Sequence, residues 1–223
     1  MTDDVVDLPD ITRPDVGTIL VSPWDVGDRH RQRTAVDATI AEWERAPKPN
    51  AFLTLNCFVS LDGETVLNYA QWTDDEAHHE FVREHRPELV REIDTAVPDI
   101  ARPGLVRYRL YCSVGAGAAA ADKPTAVSVA VYRIAGHDRA RRLADSLINA
   151  FHPCEGMSAC HFHVDVDGTR LLVLGEWRDE HAHETFVSSS DDSVRHIAAA
   201  FEAEPIEHRT YRLYRKLVHI PDS

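Results

Sequence analysis

The spacing of apolar residues along the chain alternates between the period of a helix and that of a strand. Val36, Ile40 and Trp43 recur at helical spacing, which predicts a helix with one apolar stripe. An Asp-Gly pair at 62–63 between two apolar runs predicts a tight β-hairpin. Pro87 predicts a break in a second helix, because proline disfavours a helical conformation of the residue before it. The pattern thus predicts six elements in the order β-α-β-β-α-β, over residues 18–21, 29–45, 52–60, 65–72, 74–97 and 105–113.

The same pattern recurs in the second half of the chain. The Asp-Gly pair returns at 167–168, Trp72 is matched by Trp177 and His78 by His183, all at one constant spacing. A Tyr-Arg-Leu-Tyr motif begins at residue 108 and again at residue 211. We interpret these matches, which keep one order, as a tandem duplication. The second copy predicts strands and helices over residues 127–134, 138–151, 158–166, 170–177, 180–203 and 208–217.

Each copy has the element order of a ferredoxin-like domain, in which two helices cover only one face of a four-stranded sheet. The other face needs a partner, and the second copy can supply one. We therefore predict an α+β protein in which two tandem ferredoxin-like β-α-β-β-α-β domains form an intramolecular dimeric α/β barrel. The predicted parts are an N-terminal arm (1–16), domain 1 (17–114), a linker (115–124), domain 2 (125–218) and a C-terminal tail (219–223).

The hairpin turn predicts which residues of the first copy face each other. One face then carries apolar side chains and a single polar one, Asn68, in the pairs Leu53–Trp72, Leu55–Ala70, Cys57–Asn68 and Val59–Val66. A carboxamide among aliphatic groups costs about 1–3 kcal/mol unless it is hydrogen-bonded, so Asn68 should be tied to backbone or directed at a ligand. In the second copy Phe162 and Val173 occupy the matching positions, which predicts that domain 2 has a degenerate pocket and that domain 1 is the active one.

Composition and charge exclude several classes of protein. The chain has 24 Lys and Arg against 37 Asp and Glu, a net charge of −13, which disfavours nucleic acid as a partner. No apolar run is long enough for a membrane span, and the N-terminus lacks the pattern of an export signal. The four cysteines form no C-x-x-C pair and indicate thiols in a reducing cytoplasm.

Residues 60–72, which contain the run Asn68-Tyr-Ala-Gln-Trp72, resemble the antibiotic biosynthesis monooxygenase family. The likeness is greatest to its quinone-forming members from aromatic polyketide pathways. The resemblance implies a dimeric α/β-barrel fold and a monooxygenase that oxidises phenolic or anthrone-type rings with O₂. It also implies that no metal, flavin or haem takes part, so that the expected partner is a small aromatic substrate. Whether the fused chain forms a homodimer is left open.

The resemblance also identifies candidate site residues. Asn68 and Trp72 match pocket residues of the family, Arg91 is the best match to an arginine of its second helix, and His78 stands where members can carry a tyrosine. In such a pocket Trp72 could stack on a ring, Asn68 and Arg91 could stabilise an oxyanion, and His78 could act as the base. The predicted substrate-binding residues are Cys57, Leu53, Leu55, Ala70 and Phe81.

The same candidate residues also have structural interpretations, as packing residues or ion-pair partners. Trp72 and His78 both recur in the second copy, which favours packing roles, and a helical arginine such as Arg91 is usually a solvated ion-pair partner. His161, His163 and Asp165 have the spacing of a metal site on one side of a strand. Because the first copy has no strong ligand at the matching positions, we interpret them as interface residues and predict no metal.

Two other functions are compatible with the same fold. Haem degradation is one, but the relative that performs it uses an asparagine on the first strand, and residues 18–21 contain none. The other is a non-catalytic protein that binds an aromatic metabolite or assists ring closure without oxidation.

Overall fold

The computed structural model describes residues 7–115, 123–150, 154–189 and 192–219. Within them the strands are β1 (Thr18–Asp25), β2 (Phe52–Ser60), β3 (Thr65–Trp72), β4 (Val106–Gly115), β5 (Ala126–Arg133), β6 (Met157–Asp165), β7 (Arg170–Trp177) and β8 (Glu204–Val218). The helices are α1 (Arg29–Arg45), α2 (Asp75–Ala96), α3 (His137–Ala150), α4 (Glu180–Ser189) and α5 (Ser193–Ala200). None of these described helices has the length and apolar content needed to cross a membrane.

The strands hydrogen-bond in the order of a closed barrel, β1-β3-β2-β8-β5-β7-β6-β4. Contacts divide the chain into a first unit, Arg13–Arg107 with Arg212–Ser223, and a second unit, Met1–Thr12 with Tyr108–Tyr211. β4 and β8 are the strands that end the two repeats, and each has residues in both units. At these strands the units therefore differ from the predicted domains 17–114 and 125–218. The predicted α+β class is confirmed, whereas the tandem arrangement of two domains stays a prediction.

The first unit contains the hairpin of β2 and β3, with β1 on the other edge of β3 and α1 and α2 packed against each other. Both helices begin at an aspartate whose carboxylate accepts a hydrogen bond from a backbone N–H of the first turn: Asp28 from Arg31 and Asp74 from Ala77. The apolar stripe predicted for α1 is confirmed, because Val36 and Ile40 are buried in the core of this unit.

The second unit contains the hairpin of β6 and β7, with β5 beside β7 and β4 beside β6. Its helix α3 buries Leu143 and Leu147 against a core that includes Phe162 from β6 and Leu171 from β7. Gly168 in the β6–β7 turn has a positive φ of 68°, a conformation that glycine adopts without steric cost. The turn at Gly63 in the first unit has the same requirement, with φ at 92°.

Two sequence predictions about helices need correction. Helix α2 continues through Pro87 without a break, since only one backbone hydrogen bond is lost there. The predicted helix 180–203 forms two helices, α4 and α5, and residues 190–191 between them lie outside the described part. Most of the linker 115–124, the first six residues of the arm and most of the tail 219–223 also lie outside it.

The register of the first hairpin follows the prediction from Val59–Val66 to Leu55–Ala70 and then shifts. A β-bulge between Phe52 and Thr54 places Phe52, not Leu53, opposite Trp72. The second hairpin has the matching irregularity between Met157 and Ala159, which places Met157 opposite Trp177. The prediction failed at this end because a turn determines register only until an extra residue interrupts the ladder.

Candidate functional site

Trp72, the last residue of β3, lies within a group of aromatic rings of the first unit, here called the Trp72 cluster: Trp43, Phe52, Trp72, His78 and Phe81. The centroid of the Trp72 ring is 5.3 Å from that of Phe52, 5.4 Å from that of Phe81 and 5.1 Å from that of His78. α1 supplies Trp43, and α2 supplies Phe81, whose ring stacks on Trp43. The cluster therefore joins both helices of this unit to the end of its hairpin.

The indole N–H of Trp72 is buried without an acceptor. The side chain is 0% exposed, and no described residue offers Nε1 a hydrogen-bond partner. A buried donor left unsatisfied costs about 1–3 kcal/mol, and indole has no other polar atom through which to recover it. Such a donor is unusual in a folded core and is consistent with a hydrogen bond that a ligand completes.

The matching tryptophan of the second unit has its donor satisfied. Trp177 Nε1 donates to Ser128 Oγ on β5 at 2.8 Å. Ser128 pairs with Gly175 across the sheet, and a Cβ at Gly175 would lie 2.8 Å from that hydroxyl and 3.0 Å from the indole nitrogen. In the first unit the corresponding cross-strand pair is Leu20 and Ala70, which provides neither the hydroxyl nor the space.

Asn68 is 7% exposed and is held between neighbouring strands. Its Oδ1 accepts a hydrogen bond from the Cys57 thiol at 3.3 Å, and its Nδ2 donates to the Ser22 carbonyl oxygen at 3.4 Å. Burial raises the pKa of Cys57 to about 12, so this thiol keeps its proton and remains a donor. The carboxamide is thus tied to backbone, as one of the two sequence interpretations expected, by a long bond that uses one of its two N–H groups.

His78, near the start of α2, is 5% exposed and faces Trp72 nearly perpendicularly, with 82° between the ring planes. Its Nδ1 lies 2.8 Å from Nη2 of Arg107 on β4. Burial, followed by the neighbouring Arg107 charge, lowers the pKa of His78 to about 4. His78 is therefore neutral near pH 7, and its Nδ1 lone pair is already engaged by a guanidinium N–H. This placement does not support the predicted role of His78 as a base.

The second unit repeats the histidine but not its charged partner. His183 packs against Trp177 with 4.9 Å between ring centroids, and Thr210 Oγ1 lies 2.9 Å from its Nδ1. Burial lowers the pKa of His183 to about 4 as well. Arg107 and Thr210 each directly precede a Tyr-Arg-Leu-Tyr motif, so the first unit has a fixed positive charge where the second has a hydroxyl.

Arg91 does not belong to this cluster, which corrects the sequence prediction. Its side chain is 68% exposed on α2, and its guanidinium lies 2.9 Å from the Glu92 carboxylate and 3.7 Å from that of Glu88. The guanidinium that reaches His78 comes from Arg107 instead. Arg107 was not among the residues predicted from the sequence, although the unlike residues before the two copies of the motif were a signal that could have identified it.

The predicted substrate-binding residues divide into two groups. Leu55, Cys57, Ala70 and Phe81 are buried in the same core as Trp72. Leu53 is not a member of that core, because the β-bulge turns it away from the face that carries Trp72. Phe52 takes the place predicted for Leu53.

The histidines of β6 do not assemble a metal site among the described residues. His161 Nδ1 lies 2.8 Å from Ser113 Oγ, and its Nε2 lies 3.4 Å from the Glu176 carboxylate. Asp165 instead accepts hydrogen bonds from the backbone N–H groups of Thr169 and Arg170 and thereby shapes the β6–β7 turn.

No family model and no curated protein matches this sequence. Solved structures do resemble it. An anthrone oxidase-like protein has a TM-score of 0.69 at 12% identity, over 90% of this chain and 93% of its own. A candidate monooxygenase from Fusobacterium nucleatum has a TM-score of 0.58 at 10% identity, over 92% and 96%. A candidate chlorite dismutase has a TM-score of 0.53 at 13% identity, over 88% and 94%.

At these identities the similarity concerns the fold. The chain shares the fold of the anthrone oxidase-like protein and of the candidate monooxygenase, a fold that agrees with the resemblance indicated by residues 60–72. Because proteins with other assigned activities share this fold, it does not by itself select a reaction.

Proposed function

We propose that this chain is a cofactor-independent monooxygenase that oxidises a phenolic or anthrone-type ring to a quinone with O₂. The observation that carries the proposal is the buried Trp72 N–H, which lacks an acceptor within residues 7–115, 123–150, 154–189 and 192–219, while its counterpart at Trp177 has one. The surrounding rings of the Trp72 cluster suit a flat aromatic ligand. The fold shared with an anthrone oxidase-like protein supports the substrate class.

The reaction needs only the substrate and O₂. Loss of a proton converts an anthrone-type ring to an oxyanion that is rich in electrons, and this anion passes one electron to O₂. The radicals recombine to a hydroperoxide, which loses water to form the new carbonyl. One oxygen atom thus enters the ring, the other leaves as water with both ring hydrogens, and no external reductant is consumed.

The protein contributes donors and an apolar environment to this reaction. Trp72 Nε1 donates to the developing oxyanion, which is stabilised more strongly in a site without water than in bulk solution. Asn68, further along the same strand, has a second N–H that can donate to another polar group of the substrate. Since His78 is neutral and occupied at Nδ1, the substrate loses its proton to solvent before it enters the site and binds as the anion.

The decisive test compares Trp72→Phe with Trp177→Phe. Each variant removes one indole N–H and keeps an aromatic ring, but only Trp72 has an unsatisfied donor. With anthrone as substrate, Trp72→Phe should lower kcat/KM for oxygen uptake by about tenfold, the value of one buried hydrogen bond. Trp177→Phe should remain near the parent. Formation of anthraquinone and uptake of one atom of labelled O₂ identify the product.

Controls address the cofactor and the alternatives. Activity should persist in EDTA and in protein without flavin or haem absorbance. Three results would contradict the proposal: no oxygen uptake above the uncatalysed rate, equal losses in both tryptophan variants, or activity that requires an added metal. Breakdown of haemin in place of anthrone oxidation would instead support haem degradation.

A further inference from the structure

The contact between Arg107 and His78 determines which nitrogen of the imidazole carries the proton. A guanidinium has only donors, so at 2.8 Å the Nδ1 atom must accept, and a neutral imidazole then holds its hydrogen on Nε2. His78 is thereby fixed as an N–H donor whose ring lies directly beside that of Trp72. Two N–H donors, one indole and one imidazole, come from adjacent rings of the same cluster.

The charged and titratable groups around His78 are few. Arg107 reaches it from β4, whereas Asp75 and His79 accompany it on α2. The Asp75 carboxylate lies 3.7 Å from Arg107 Nε and helps to hold the guanidinium. With this geometry, the lowered pKa of His78 agrees with a histidine that stays neutral beside a permanent positive charge.

We propose that Arg107 is a positioning residue that holds His78 as a neutral donor, so that Trp72 and His78 together bind the oxyanion of an ionised phenol or enol. This inference rests on the proposed function and deepens it. It assigns the ligand class as a fused aromatic ring bound as its anion, and it makes Arg107 act through His78 rather than by contact.

The second unit provides the internal comparison. His183 meets the neutral hydroxyl of Thr210, and the Trp177 donor is already bound to Ser128. Neither a fixed charge nor an unsatisfied donor is present at that position, so we infer that the oxyanion site belongs to the first unit. The variant Arg107→Thr then reproduces the arrangement of the second unit. Its hydroxyl can still donate to Nδ1 of His78, but the positive charge is removed.

The test measures the ionisation of a bound probe and requires no oxidation. The probe is 2-hydroxyanthraquinone, whose phenolate absorbs at longer wavelength than the phenol. Bound to the parent protein, its apparent pKa should fall by about one unit or more relative to free probe, because hydrogen bonds donated by Trp72 and by the Arg107-polarised His78 favour the charged form. Arg107→Thr should lose at least half of this shift, and Arg107→Ala should lose all of it.

Arg83→Ala is the matched control, because it removes a positive charge from an exposed site on α2. It should titrate like the parent, and circular dichroism verifies that each variant is folded. A probe pKa that is unchanged in both Arg107 variants, a parent that prefers the phenol, or a parent that does not bind the probe would overturn the inference.

The outcome separates this inference from the proposed function. If the Arg107 variants change the pKa of the bound probe but the protein takes up no oxygen with anthrone, the oxyanion site stands and the monooxygenase proposal fails. If Trp72→Phe lowers oxidation as expected while the Arg107 variants leave the pKa of the bound probe unchanged, the monooxygenase proposal stands and the role of Arg107 fails.

Discussion

Two tryptophans in matching sequence positions have different hydrogen-bonding states. Trp72 and Trp177 both end the second strand of a hairpin and both pack against a histidine, yet among the described residues only Trp177 finds an acceptor. The difference comes from a neighbouring strand, where Leu20 stands in the first unit and Ser128 in the second. The identity of a tryptophan is therefore insufficient to predict its role, which depends on a residue about 50 positions earlier in the chain.

This contrast leads to a prediction about the double variant Leu20→Ser with Ala70→Gly. It rebuilds around Trp72 the pair that satisfies Trp177, so the new hydroxyl should accept from the indole and compete with the ligand. Affinity for 2-hydroxyanthraquinone should fall by about tenfold, the value of one buried hydrogen bond, as measured by absorbance titration.

The matched control is Leu20→Ala with Ala70→Gly, which removes the same side-chain volume without adding a hydroxyl. Both double variants should lose stability to a similar extent, because each leaves a cavity in place of Leu20. Equal probe affinity in the two would show that the unsatisfied indole N–H does not bind the ligand.

At the scale of elements, the hairpins show how far a local pattern determines register. Alternation and the Asp-Gly turn predicted the pairs from Val59–Val66 to Leu55–Ala70 correctly. The β-bulge near Phe52 then placed Phe52, instead of the predicted Leu53, on the face that carries Trp72. A bulge has little sequence signature of its own, since it depends on how the strand end fits its neighbours.

Helix α2 makes an independent prediction about stability. Pro87 lies in its exposed interior, where it removes the backbone hydrogen bond to the Arg83 carbonyl and crowds the preceding turn. Pro87→Ala should therefore raise the free energy of unfolding by about 1–2 kcal/mol, after allowance for the greater freedom of the unfolded chain. Urea denaturation measures the change.

Glu88→Ala is the appropriate control, because it alters the neighbouring exposed position without changing the backbone. It should leave the free energy of unfolding near the parent value. A loss of stability in Pro87→Ala would mean that the proline is required for the shape of α2.

At the scale of the whole molecule, buried neutral histidines couple stability to pH. The pKa is lowered to about 4 in His78 and His183 and to about 3 in His163, with burial as the main cause in each. Between about pH 4 and 6.5 the unfolded chain therefore binds protons that the folded chain does not. The free energy of unfolding should fall as pH decreases through this window, by up to about 1.4 kcal/mol per unit for each histidine.

Urea denaturation at pH 8, 6.5 and 5 tests this dependence. The carboxylates with lowered pKa values, such as Asp74 and Asp179, lose their contribution only at more acidic pH and do not obscure the result. His183→Gln should reduce the slope by about a third, since it removes one of the three titrations. A stability that is flat from pH 6.5 to 5 would contradict the assignment of neutral histidines.

The sequence by itself determined the α+β class, the order of elements, most of the hairpin register and the resemblance carried by residues 60–72. These features depend on local periodicity, turn chemistry and a contiguous run of residues, all of which can be followed along the chain. Only the tertiary structure decided that Arg107 rather than Arg91 reaches His78, and that Trp72 has no acceptor in the part of the chain that the structure describes. Both facts depend on strands distant in sequence, because a hydrogen bond is completed by whichever residue the fold brings within about 3 Å.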